Sequence, residues 1–207
     1  MRITVLDYGS GNLHSLVKAL SAPPHAVRIE PDPWLALETD LLVLPGVGAF
    51  HAAAGRLAGA RAAVREALEA GLPCIGICLG MQLLLDSSEE GEGGGLGLIA
   101  GRVERLKARR VPHIGWSPVE PAPDPALARA PLPLAYFAHS FACRPTSMAA
   151  ITAWSRHEDD RFPAMVRHGR TVGVQFHPEK SSRDGVRFLA GLVAEASSAA
   201  APAGGAT

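Results

Sequence analysis

Three side chains in this sequence have the types and spacing that nucleophilic catalysis needs: Cys78, His177 and Glu179. Cys78 falls in Leu72-Pro73-Cys74-Ile75-Gly76-Ile77-Cys78-Leu79-Gly80-Met81-Gln82-Leu83-Leu84-Leu85, with a glycine two residues to either side. Free cysteines are more often buried and inert. The flanking glycines favour the reactive reading, because a strand that folds straight back into a helix brings backbone against backbone where a Cβ would clash. Such an elbow holds the thiol out at the carboxyl end of a sheet, and the amino end of the following helix favours thiolate. A thiolate needs a base, and Thr171-Val172-Gly173-Val174-Gln175-Phe176-His177-Pro178-Glu179-Lys180 supplies one. Val172, Val174 and Phe176 alternate as a strand does, and His177 ends it. Pro178 keeps His177 extended, so Glu179, two residues on, faces the same way and can orient the imidazole. Alone, His177 would read as a surface or packing residue.

The elements that must position these groups follow an α/β pattern. A strand at Ile3–Leu6 leads through Gly9-Ser10-Gly11 to a helix from about Asn12 to Leu20. Gly-Ser-Gly lacks the third glycine and acidic partner of a dinucleotide site. Ala26–Ile29 is a second strand, followed by a proline-rich connection to Trp34. Asp40–Leu44 is nearly all apolar, as in a parallel strand covered on both faces. It ends in Pro45-Gly46-Val47-Gly48, whose glycines leave peptide N–H groups free to point at an oxyanion; taken alone, the stretch also reads as an ordinary turn. A helix is expected from about Gly48 to Ala70, stopped by Gly71. Ligands in such folds bind beyond the carboxyl ends of the strands, where Gly46, Cys78 and His177 all fall. Ser88-Glu89-Glu90 and the glycine-rich stretch 91–97 are expected to form a loop. Leu98–Leu106 and Tyr136–Phe141 are strand-like, with a proline-rich stretch between, and a last helix is expected from about Ser182 to Ala196 with Val186, Leu189 and Val193 on one face.

These residues carry a resemblance. By Gly76-Ile77-Cys78-Leu79-Gly80-Met81-Gln82 and Phe176-His177-Pro178-Glu179 the chain resembles the class I (triad) glutamine amidotransferases. Within them it is similar to the glutaminase subunits of imidazole glycerol phosphate synthases of histidine biosynthesis. The narrower match rests on Asp7-Tyr8-Gly9-Ser10-Gly11-Asn12-Leu13, Leu44-Pro45-Gly46-Val47-Gly48-Ala49-Phe50, Ser88-Glu89-Glu90-Gly91, Gly95-Leu96-Gly97-Leu98, Val111-Pro112-His113-Ile114-Gly115-Trp116, Tyr136-Phe137-Ala138-His139-Ser140 and Phe176-His177-Pro178-Glu179-Lys180-Ser181.

The resemblance implies one domain over residues 1–196 with a flexible tail, 197–207. Its fold would be a mostly parallel open sheet flanked by helices, with a smaller antiparallel region in the second half. It implies hydrolysis of L-glutamine to glutamate and ammonia by a Cys78–His177–Glu179 triad, with oxyanion donors at Gly46 or Val47 and at Leu79. Gln82, Ser140 and Phe141 would hold the amino-acid end of the substrate. Glu90 would meet its ammonium or be a solvated loop residue, and Gln82 alternatively packs in the core with a local hydrogen bond. A (β/α)8-barrel cyclase subunit would take the ammonia, forming a heterodimer through Asn12, Trp116, Tyr136 and Lys180. Asn12 also suits a helix cap, and a tryptophan such as Trp116 by default faces a core. Ser117, where asparagine is frequent in relatives, and Phe141-Ala142-Cys143, where tyrosine is commoner, depart from the pattern at the periphery of the site.

Composition agrees with these expectations. The 207 residues are 47% hydrophobic with formal net charge +0, which suits one soluble globular domain and offers no basic surface to nucleic acid or an anionic membrane. Aromatics are only 5%, too few for a base-stacking platform. No signal peptide or bilayer-spanning run is evident. The 3 cysteines show no metal spacing, so a reducing cytoplasm is the simplest setting, and the 8 histidines are scattered, so no metal or cofactor is expected. Three other readings remain: a glutaminase serving anthranilate or pyridoxal phosphate synthesis, a cysteine peptidase cutting γ-glutamyl bonds, and a non-catalytic regulatory subunit.

Overall fold

The computed structural model describes residues 1–9, 13–46 and 48–198. The first half of the chain alternates strand and helix. β1 (Arg2–Leu6) and β2 (Ala26–Glu30) flank α1 (His14–Leu20), and β1 pairs in parallel with both β2 and β3 (Leu41–Leu44). Between β2 and β3 the single turn α2 (Pro33–Ala36) is capped by the Asp32 carboxylate, which accepts from the N–H groups of Trp34 and Leu35. All four residues of β3 are buried. Leu41 and Val43 join the core on one face of the sheet, Leu42 and Leu44 the core on the other, as period-two side chains in a doubly covered strand must.

One long helix was expected after β3; the chain forms two, α3 (Phe50–Leu57) and α4 (Arg61–Glu69). Gly55 lies in the last turn of α3 and Gly59 within the break, and a glycine costs a helix about 1 kcal/mol relative to alanine. There the N–H groups of Ala58 and Ala60 bond to carbonyls three residues back, those of Gly55 and Leu57. Gly71, with φ +100°, ends α4 as expected, and Leu72 N–H reaches back to the Ala67 carbonyl at 2.9 Å. β4 (Cys74–Ile77) is wholly buried and pairs in parallel with β3.

The leucine-rich helix expected after Cys78 is only one turn, α5 (Leu79–Gln82). The carbonyls of Leu83, Leu84 and Leu85 instead accept hydrogen bonds from the N–H groups of Leu96, Ile99 and Gly97, so residues 95–99 end the helix. The expected glycine-rich loop contains β5 (Ser87–Ser88) and β6 (Gly91–Gly94), which pair with each other, and β5 also pairs with β7 (Gly101–Arg105).

The proline-rich middle runs through β8 (His113–Pro118), β9 (Glu120–Pro121) and α6 (Pro125–Arg129), a short helix with Pro125 in its first turn and Asp124 as its cap. β10 (Leu134–His139) pairs antiparallel with β8, and β11 (Phe141–Pro145) with β7. Residues 151–168 add a hairpin that the sequence pattern did not reveal, β12 (Ile151–His157) and β13 (Asp160–His168). Small and polar residues at its buried positions, such as Ala153 and Ser155, mute the alternation, and Pro163 argues against a strand. A register shift between Ala153 and Trp154 lies next to the Trp154–Pro163 pair. β14 (Thr171–Val174) returns to the centre, parallel to β4, and α7 (Ser182–Ser198) closes the fold two residues beyond the expected end. In α7 the packed face carries Phe188, Leu189, Leu192 and Val193, whereas Val186 is exposed.

Among the described residues the strands form an eight-stranded sheet in the order β2-β1-β3-β4-β14-β13-β12-β9, a four-stranded sheet β11-β7-β5-β6 and a ribbon β10-β8. The architecture is therefore α/β, with a parallel body and a smaller antiparallel part in the second half. The core has two layers: α1 and α7 cover one face of the large sheet, α3 and α4 the other. Among the described residues no helix is long and apolar enough to cross a membrane.

Candidate active site

Cys78 connects β4 to α5 with φ 47° and ψ −102°, a conformation rarely adopted by a residue with a Cβ and held here by its surroundings. Its N–H donates to the Val174 carbonyl at 2.7 Å, tying the elbow to β14. A Cβ on Gly76 would stand 2.7 Å from the Gly80 carbonyl oxygen, and one on Gly80 would run into the backbone of Leu44. Both glycines are thus demanded by backbone crossing backbone.

β14 delivers His177 three residues beyond its end. The His177 N–H donates to the Tyr136 carbonyl at 2.8 Å, and its own carbonyl accepts from Ser181 Oγ at 2.7 Å. Residues 178–180 form a 3-10 turn, not the extended segment expected, yet the turn still brings Glu179 Oε1 to 2.8 Å from His177 Nδ1. Nδ1 so engaged leaves Nε2 as the ring nitrogen available to Cys78. Burial disfavours the imidazolium, but hydrogen bonds and charge from Cys78 and Glu179 outweigh it and raise the His177 pKa to about 10.

Gly46 lies against this pair. A Cβ there would stand 2.9 Å from the Cβ of Cys78 and 3.0 Å from Cε1 of His177. Any side chain at position 46 would therefore displace its neighbours. Val47, the alternative oxyanion donor, and Asn12 lie outside the described residues.

A cavity of about 270 Å³ opens beside the sulfur, lined by Gly46, Cys78, Leu79, Gln82, Glu90, Ser140 and Phe141 among others. Gln82 is buried and its Nε2 donates to the Phe141 carbonyl at 3.0 Å. Glu90 lines the cavity, and its Oε2 also accepts the Phe50 N–H at 2.9 Å and caps α3, whose preceding residue has no capping side chain. Trp116 does not face the core; it is 48% exposed, and it meets Tyr136 edge-on at 6.1 Å where β8 and β10 pair. Ile114 and Leu134 extend this apolar surface, and Lys180 is exposed on the turn after His177.

Several residues at the site escaped sequence reasoning. Gln175 is fully buried with Nε2 3.5 Å from Cys78 Sγ, and only its place two residues before His177 hints at a shared face. His139 lines the cavity and donates from Nδ1 to the Phe141 carbonyl at 2.8 Å, while its Nε2 lies 3.1 Å from Nδ1 of His113. Burial lowers the pKa of His139 to about 3 and that of His113 to about 4, so both are neutral. Burial pushes the thiols of Cys74 and Cys143 up, which leaves Cys78 as the cysteine on the cavity. Among the described residues no group of three or more His, Cys, Asp or Glu side chains is arranged to hold a metal ion.

Comparison with known proteins agrees with this arrangement. The model of the glutamine amidotransferase class-I family matches residues 4–193. Imidazole glycerol phosphate synthase subunit HisH of Symbiobacterium thermophilum is 47% identical over 198 residues, covering 91% of this chain and 92% of that protein. The HisH protein of Corynebacterium diphtheriae is 40% identical over 202 residues, covering 91% and 96%. In fold the chain is similar to a putative GMP synthase component from Thermoplasma acidophilum, with a TM-score of 0.73, 18% identity and coverage of 96% and 95%. It is also similar to PurLQS from Thermotoga maritima, with a TM-score of 0.71, 19% identity and coverage of 94% and 98%. The chain belongs to the class-I glutamine amidotransferases, among the imidazole glycerol phosphate synthase HisH subunits.

Proposed function

We propose that this chain is the glutaminase subunit of an imidazole glycerol phosphate synthase, acting through Cys78, His177 and Glu179. The observation that carries the reading is the fit of Gly46 against a cysteine–histidine pair whose far side is held by a buried carboxylate. The Cys78 thiolate attacks the side-chain carboxamide carbon of L-glutamine, and backbone N–H groups near Gly46 and Leu79 stabilise the resulting oxyanion. His177 gives its proton to the departing nitrogen, ammonia leaves, and a γ-glutamyl thioester remains. His177 then takes a proton from water, which attacks the thioester; glutamate leaves and the thiolate is restored. Glu179 keeps the imidazole in the tautomer that presents Nε2 to the sulfur. Gln82 and the backbone of Ser140 and Phe141 hold the amino-acid end of the substrate, and Glu90, which lines the same cavity and caps α3, meets its ammonium.

Free ammonia becomes ammonium in neutral water and loses its nucleophilicity, so the product is passed to a partner. We assign that partner as a (β/α)8-barrel cyclase that forms imidazole glycerol phosphate and aminoimidazole carboxamide ribonucleotide. The apolar surface of Ile114, Trp116, Leu134 and Tyr136, with Lys180 beside it, is its docking face. Residues 1–196 form the one functional domain, and three free cysteines support a reducing, cytoplasmic setting.

The test is glutamate release from glutamine by the chain alone, with the cyclase, and with cyclase plus its ribonucleotide ligand. Negligible turnover alone with a jump in the full mixture supports the reading. Fast hydrolysis indifferent to the cyclase retains the glutaminase and removes the partner assignment.

A further inference from the structure

The mechanism above leaves one buried polar side chain at the nucleophile unused. Gln175 follows β14, is fully buried, and its backbone N–H is bound to the Ala164 carbonyl at 2.9 Å. Among the described residues the sulfur of Cys78, at 3.5 Å, is the hydrogen-bond partner of its Nε2. The amide orientations follow from the network. Phe141 offers a carbonyl, so Gln82 must turn its NH2 group towards it, at 3.0 Å. The second Gln82 proton then donates to Gln175 Oε1 at 3.4 Å, and Gln175 is left with its own NH2 aimed at Sγ.

A neutral thiol is a weak acceptor and satisfies the Gln175 amide poorly; a thiolate satisfies it well. The other polar neighbour of the sulfur has the opposite preference. The Ala138 carbonyl, at 3.9 Å, accepts a thiol proton and repels a thiolate. The one-turn α5 has too few aligned peptides to supply much of a dipole. The titratable groups around Cys78 are His177, backed by Glu179, after β14, His139 on β10, Cys143 on β11, and Glu90 across the shared cavity. The histidine next to the cavity is neutral, and Cys143 is a buried thiol. Beyond His177, then, the charge on the sulfur has one side-chain donor among the described residues.

We propose that Gln175 is a further catalytic residue, donating a hydrogen bond to the Cys78 thiolate and, through Gln82, joining the nucleophile to the groups that hold the substrate's amino-acid end. The proposal rests on Cys78 being the nucleophile of a glutaminase. Substrate binding at Gln82 thereby also firms the acceptor side of the Gln175 amide, which strengthens its donor side.

The test uses Gln175→Leu, which removes the amide while keeping bulk, and Gln175→Glu, which keeps the shape and sets a carboxylate beside the sulfur. Two quantities are measured: the rate of Cys78 alkylation by iodoacetamide against pH, with Cys78→Ala as the labelling control, and glutaminase kinetics in the complete complex with the cyclase and its ligand. The expected result is a rise of about one unit in the alkylation midpoint for Gln175→Leu, with kcat down about tenfold or more and KM little changed. Gln175→Glu shifts both further. In the wild-type chain the side-chain amide resonances of Gln175 move as pH crosses the alkylation midpoint, a measurement that stands even where a variant fails to fold. Folded variants with wild-type profiles, or amide resonances indifferent to that pH, overturn the proposal. A wild-type complex that neither hydrolyses glutamine nor alkylates at Cys78 overturns the glutaminase reading instead.

Discussion

Glu179 is committed to His177: Oε1 lies 2.8 Å from Nδ1, and Oε2 is buried with no hydrogen-bond partner among the described residues. A carboxylate with one partner has one task, which is to hold the ring orientation and support its charge. Glu179→Gln keeps the volume but offers an NH2 group that competes with the Nδ1 proton. The expected outcome is a fall in kcat of at least about 100-fold with little change in melting temperature. Steady-state glutaminase kinetics in the cyclase complex, beside a thermal melt, check it; an activity within about threefold of wild type would count against the triad.

Removal of the nucleophile separates nitrogen supply from nitrogen use. Cys78→Ala abolishes glutamine-dependent synthesis by the complex while ammonia-dependent synthesis by the cyclase continues at the wild-type rate. Loss of both would make Cys78 structural or the partner wrongly assigned. The comparison is one assay with two nitrogen donors.

Gly46→Ala places a methyl group within 2.8 Å of the Ile77 carbonyl oxygen, 2.9 Å of the Cys78 Cβ and 3.0 Å of the His177 ring. Something must shift, and every atom in the way belongs to the elbow strand or to the reacting pair. We expect glutamine hydrolysis to drop by about 100-fold or more, since misplacement by an ångström has that effect. Circular dichroism should show the fold retained, because the crowding is local to the site.

Stability should fall on both sides of neutrality for different reasons. His177 has its folded pKa raised to about 10, so its contribution is complete below about 6.5, the unfolded value, and is lost as pH rises through about 10. His113 and His139 are lowered to about 4 and about 3, so the stability they represent is present above about 6.5 and is lost as pH falls towards those values. Melting temperature against pH measures this. Cys78→Ala should flatten the alkaline limb, and His139→Gln the acid limb.

Far from the site, Asp124 joins three elements. Its buried carboxylate caps α6 through Ala126 N–H at 2.8 Å and pairs with Arg167 of β13 at 2.8 Å, and Arg167 also reaches Glu195 of α7 at 2.7 Å. Asp124→Ala leaves a largely buried guanidinium short of a partner and α6 without its cap. The expected loss is about 3 kcal/mol, read from urea denaturation, with glutaminase kinetics unchanged below the transition.

The chain's own pattern determined a great deal. All-apolar Leu41–Leu44 and the Gly76-Ile77-Cys78-Leu79-Gly80 elbow announced a parallel sheet with a cysteine at a strand's carboxyl end, because these features are local: side-chain period and steric demand act within a few residues. His177 and Glu179 were legible for the same reason, even though a 3-10 turn, rather than an extended segment, joins them. The tertiary structure alone decided the rest. Only the fold could show that residues 95–99 would take the carbonyls of Leu83–Leu85 and cut the leucine-rich helix to one turn. Only the fold could set Glu90 on the amino end of α3, expose Trp116, or bring Gln175 to the sulfur 97 positions away. Each of these depends on a hydrogen bond or contact between segments remote in sequence. Such pairings leave no period behind, and a buried amide in an apolar strand looks like a flaw until its partners are in place.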